Sequence, residues 1–183
     1  MNPVVIALIV VLAIVFLVLG WGVATSNGIK RLDLKCKEAL ADIDVALMKR
    51  HDSLTKLLDV VKGYQKHELD TLTQLTSMRS GMAMNERVNA TRQMNDLMGR
   101  INVVAENYPE LKSNANFRQL QTAIMDTEEH LQAARRLYNS NVNIYNQKLV
   151  VFPDSIVANM MGAQQKNFFE VPEENKQDVK MSF

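Results

Sequence analysis

VVIALIVVLAIVFLVLGWGV, residues Val4–Val23, contains no charged side chain, and how it is read decides the fold. Twenty helical residues at about 1.5 Å each reach about 30 Å, the thickness of a bilayer core. Trp21 sits at the downstream end, where an indole ring is comfortable at headgroup level. A cleaved signal peptide would have a basic start and a shorter apolar core. Here the chain opens Met-Asn-Pro, and Ala24-Thr25-Ser26 is a weak cleavage site. The run therefore reads as a retained membrane span. Working outward, no basic residue precedes it, whereas Lys30, Arg31, Lys35 and Lys37 follow it. Basic residues next to a span favour the cytoplasmic side, so the expected orientation is a short outer N-terminus and a cytoplasmic domain.

Beyond the span, apolar residues recur at intervals of three and four. The first seam reads Leu32, Cys36, Leu40, Ile43, Leu47, Leu54, Leu57, Val61, Tyr64, Leu72, Leu75 and Met82. The first strong break comes at Ser80-Gly81. A second helix is expected over about Glu86–Asn107, with the stripe Val88, Thr91, Met94, Met98, Ile101, Ala105 and Tyr108, and Pro109 ends it. The polar stretch ELKSNANF reads as a connector, with Asn114 or Asn116 as N-cap of the next helix. The third helix is expected from Phe117 to a stop at Pro153. A short helical turn, SIVANMMG, follows it. Nothing reads as a strand. The predicted class is all-α: an N-terminal transmembrane helix followed by an antiparallel long-helix, coiled-coil-like bundle. The domain reading is 1–29 for the outer N-terminus and span, 30–162 for the bundle, and 163–183 for a partly disordered tail.

The helix lengths suggest a partner. About 50 residues reach roughly 75 Å, and a second helix of about 22 returns only about 33 Å. The stripe Leu32, Cys36, Leu40, Ile43 and Leu47 is then left without an obvious cover in its own chain. Exposed apolar surface costs about 25 cal/mol per Å². Self-association of copies through this stripe is one expectation. Coverage by the connector before Phe117 or by the C-terminal tail is the other.

Charges also occupy seam positions: Arg50, Glu68 and Arg79 on the first helix, Glu106 at the end of the second, and Glu128 and Arg135 on the third. They read as an ionic network that fixes helix register at some cost in stability. The alternative is that they extend their charged ends to the surface. In RLYNSNVNIYNQKLVVFP, Tyr138-Asn139 and Tyr145-Asn146 repeat at two helical turns. The rings read as core, and the hydroxyls and amides as a helix-pairing device; a recognition site is the alternative.

No enzyme is indicated. His51, His67 and His130 lack metal-ligand spacing, and there is no Gly-rich phosphate loop or serine elbow. The single Cys36 allows no disulfide, and Lys35 before it argues against a lipoprotein cysteine. A net charge of +1 leaves no nucleic-acid footprint. No cofactor is expected.

The segments RHDSLTKLLDVVKGYQKHELDTLTQLTSMRS, AENYPELKSNANFRQLQ and TEEHLQAARRLYNSNVNIYNQKLVVFP, ending in NFFE, resemble LemA-family proteins in the same order. The resemblance implies a bacterial inner-membrane protein with one span, a short outer N-terminus and a cytoplasmic domain of long antiparallel helices. The family has no established molecular activity and no assigned catalytic residues. Its relatives include a protein of magnetosome membranes, and some look linked to membrane proteases or stress responses. The family pattern covers Arg50, Glu68, Arg79, Glu106 to Pro109 and Arg135 to Asn139. It often has a proline near Leu54 to Lys56, which is absent here. The functional expectation is a self-associating membrane scaffold. A regulatory adaptor for a membrane protease or sensor is the alternative.

Overall fold

The computed structural model describes residues 2–63 and 81–170. Among them are five helices and no strand: α1 (Pro3–Lys62), α2 (Met84–Asn107), α3 (Pro109–Ser113), α4 (Ala115–Val150) and α5 (Asp154–Met160). Tyr64, His67, Glu68, Leu72, Leu75 and Arg79 lie outside the described residues.

The local signals explain most boundaries. Gly81 has φ +81°, a left-handed conformation that suits glycine and disfavours other residues, so the chain turns there. Before α2, the Ala83 amide donates to Glu86 Oε2 at 2.7 Å, satisfying one of the donors a helix start leaves open. Asn114 caps α4: its Oδ1 accepts from the amides of Asn116 (2.9 Å) and Phe117 (3.2 Å). The supposed polar connector holds a further helix. Pro109 stands at the first position of α3, where its missing N–H costs nothing, and Leu111 from that turn is fully buried. The α2 stripe is also rotated from the expected one. Arg87, Ala90 and Leu97 face inward with Thr91, Met94, Ile101 and Ala105, while Val88 is only half-buried.

The chain forms two compact units. Unit 1 combines residues 1–40 with 136–168. In it the first part of α1 runs antiparallel to the end of α4: Asn141 Nδ2 donates to the Lys35 carbonyl at 3.2 Å, and the Lys148 side chain lies against Gly28. Thr25, Ile29, Cys36 and Ala39 are buried here. By contrast, the apolar run from Val4 to Leu19 is exposed throughout. Its length, hydropathy and exposure suit a membrane span. Of the described residues, unit 2 takes in 41–63, 81–135 and 169–170. Its core includes Ile43, Leu47, Leu54, Leu57, Met94, Ile101, Leu111, Phe117 and Leu131.

One expectation changes. The stripe thought to need a second copy is covered from within: Cys36, Ile43 and Leu47 are buried, and Leu32 and Leu40 half-buried. A helix as short as α2 cannot reach this part of α1, but the end of α4 packs along it. Residues 163–170 run without helix, and Phe169 is buried.

Candidate functional site

Two polar clusters hold the described residues in place, one in each unit. In unit 1 the Tyr-Asn repeat of α4 faces the non-helical segment after α5. The Tyr138 hydroxyl donates to the Asn167 carbonyl at 3.0 Å. The Asn146 amide pairs with the Lys166 backbone in both directions: Nδ2 donates to the carbonyl and Oδ1 accepts from the N–H, each at 2.9 Å. An asparagine side chain thus substitutes for a neighbouring peptide group. That lets an extended segment lie on a helix without losing its backbone bonds. The Lys166 ammonium sits 5.2 Å from the Tyr145 ring centroid and 2.7 Å from Asp33 Oδ1 on α1.

Electrostatics follow from this geometry. The hydrogen bond from Lys166, and then that from Lys37, hold the Asp33 carboxyl below its usual value. Burial pulls the Lys166 ammonium down, but the bond to Asp33 and the surrounding charges outweigh it and leave it raised. Burial pushes the Cys36 thiol up, away from the thiolate a nucleophile needs. Tyr138 and Asn146 of the repeat thus clasp a C-terminal segment. Tyr138 and Tyr145 are both buried, and Asn139 and Asn146 are half-buried beside them.

In unit 2 the seam charges meet in part. Arg50, on α1 and almost wholly buried, places Nη1 2.8 Å from Glu128 Oε2, and its Nη2 donates to Asn95 Oδ1 at 2.8 Å. The Arg50–Glu128 contact is close but not aligned as a hydrogen bond, so it acts as an ion pair. Gln132 donates to the other Glu128 oxygen at 2.7 Å. Arg135 donates to Thr91 Oγ1 at 3.3 Å and lies over the Phe169 ring, 5.0 Å from its centroid. Burial lowers both arginine pKa values, and Glu128 opposes this. Arginine stays charged through shifts of this kind.

Among the described residues Glu106 is not joined to Arg50, Glu128 or Arg135; it is exposed on α2. Glu68 and Arg79 lie outside the described residues. Sequence reasoning missed a second pair. Arg87 forks onto Asp44 through Nε (2.6 Å) and Nη2 (2.7 Å) and also donates to the Met82 carbonyl. Asp44 sits beside a seam position, and no spacing rule marks it. Two further partners, Asn95 and Lys166, are ordinary polar residues in the sequence. No three His, Cys, Asp or Glu side chains converge among the described residues.

The model of the LemA family matches residues 39–183. The chain is similar to Protein LemA of Metamycoplasma hominis, 27% identical over 165 residues, which is 87% of this chain and 75% of that protein. Magnetosome protein MamQ 1 of Paramagnetospirillum magneticum is 25% identical over 73 residues, 40% of this chain and 27% of its own length. MamQ of Magnetospirillum gryphiswaldense is 24% identical over 72 residues, 39% of this chain and 26% of its own length. Matched by the family model over residues 39–183, most of its length, this chain belongs to the LemA family.

Proposed function

We propose that the protein is a non-catalytic, single-pass membrane scaffold that assembles with copies of itself. The observation that carries this is the continuity of α1. A fully exposed apolar run passes without a break into residues packed inside unit 1. One helix is thereby both anchor and structural wall. The orientation we propose puts the helical units on the cytoplasmic side of the inner membrane, because Lys30, Arg31, Lys35 and Lys37 follow the run and no basic residue precedes it.

The stripe within the chain no longer supports self-association, so another surface has to carry it. On α4, Leu137 and Ile144 point outward two helical turns apart and are about half exposed. A second copy is the occupant we assign to that face. The test is the native mass of the full chain in mild detergent. A homogeneous homo-oligomer that Leu137→Lys with Ile144→Lys dissociates is the expected result. A monomer at high concentration overturns self-association. A stable second protein in the particle instead supports the adaptor reading for a membrane protease or sensor.

A further inference from the structure

The turn between α4 and α5 carries apolar side chains that the protein leaves uncovered. Phe152 is 76% exposed, Ile156 49% and Met160 84%. They recur every four residues, so Ile156 and Met160 share one face of α5, and Phe152 leads into it from the turn. The opposite side of α5 is used differently: Ala158 is buried in unit 1. Isolated apolar residues on a surface need no account, but two on one face of α5, with exposed Val150, Val151 and Phe152 in the chain just before it, form a patch.

Its position relative to the span follows from the register of α1 and α4. Asn141 meets Lys35, and Lys148 meets Gly28, so a step along α4 matches a step back along α1. Continued to the end of α4, this register puts Val150–Phe152 level with Ala24–Ser26, just past the end of the apolar run. A separate contact gives the same level: Thr25 Oγ1 donates to Asp154 Oδ1 at 3.1 Å, and Lys148 Nζ fixes the other carboxylate oxygen at 2.6 Å. Phe152 and Asp154 thus stand level with the residues just past the apolar run, about one helical turn beyond Trp21.

We propose that Phe152, Ile156 and Met160 form a second membrane contact, a knob inserted into the headgroup–acyl boundary beside the span. The occupant is lipid because the patch continues a surface already assigned to lipid. A short amphipathic helix lying at that depth buries its apolar face in the bilayer interface. An aromatic ring at that level is also well placed. With two points of contact, the Asp154 clasp would hold unit 1 against the bilayer as well as tether it.

The inference rests on the membrane-span reading, and site-directed spin labelling separates the two. Single cysteines are introduced in the full chain as Phe152→Cys, Ile156→Cys or Met160→Cys, with Leu12→Cys as span control and Asn143→Cys as exposed control. Cys36, buried, stays in place with the unsubstituted chain as background. Each labelled protein is checked for helical content and reconstituted in phosphatidylethanolamine–phosphatidylglycerol vesicles. The expected result is that collisions with oxygen exceed those with chelated nickel at 152, 156 and 160, as at Leu12, with the order reversed at Asn143. Nickel-accessible labels at all three, with Leu12 in lipid, overturn the knob and leave the span standing. Shielding of the three from both reagents means that protein covers them, and also overturns it. An aqueous Leu12 label overturns the span reading itself.

Discussion

Arg50 and Glu128 form one pair in very different surroundings. The Arg50 side chain is 6% exposed, whereas that of Glu128 is 33% exposed and also bonded to Gln132. Removing one partner of an ion pair hurts most when the charge left behind is buried. Glu128→Leu leaves the buried Arg50 charge with only the neutral amide of Asn95 to answer it and should cost about 3 kcal/mol. Arg50→Met leaves a carboxylate that water can reach, and should cost on the order of 1 kcal/mol. Urea midpoints of the two variants check this; the opposite order would show that Arg50 serves mainly as packing. The residue types at 50, 128 and 135 were legible as seam charges. The exposure of Glu106 was not legible, because one position at a helix end decides whether a side chain points in or out. Asp44 gave no warning at all, since its role depends on Arg87 crossing from another helix.

For the elements, α4 does more than fill a bundle, because one face of it holds an extended segment. The two tyrosines of the repeat should therefore respond differently. Tyr138→Phe removes the donor to Asn167 and should loosen residues 163–170 by about 1 kcal/mol. Tyr145→Phe keeps the ring against Lys166 and should change little, within about 0.5 kcal/mol. Asn146→Ala removes both backbone pairings and should cost more than either, about 1–3 kcal/mol. Protease protection of the segment distinguishes the three; equal effects would mean that the clasp acts only through ring packing. The helices themselves were largely legible because their signals are local: Gly81 as a break, Asn114 as a cap, Pro153 after α4. Pro109 misled because a proline that ends one helix can also open the next.

The whole molecule inherits a pH window from the carboxylates that tie unit 1 together. Asp33 and Asp154 are both depressed, mainly by Lys166 and Lys148 respectively. A depressed carboxylate stabilises the fold above its unfolded value and stops doing so as pH falls through its folded value. Their contribution should be intact from about pH 4 upward and fade below it. Lys166 is raised, so its share is complete below its ordinary value and is lost as pH climbs above about 10.5. These groups are partly exposed, so each pair is worth at most about 1 kcal/mol. Asp33→Asn with Asp154→Asn should lower the unfolding midpoint at neutral pH and flatten its decline into acid. An unchanged acid slope would place the responsible carboxylates elsewhere.

By itself the sequence determined the exposed apolar run, the all-α class and most of the helix ends. These depend on composition, periodicity and capping within a few residues. It could not determine what covers the stripe from Leu32 to Leu47, nor what the Tyr-Asn repeat holds. Both depend on which distant segment arrives at a given face. The tertiary structure decided them by laying the end of α4 along α1 and residues 163–170 along α4, where peptide groups that no helix satisfies found Asn146 and Tyr138.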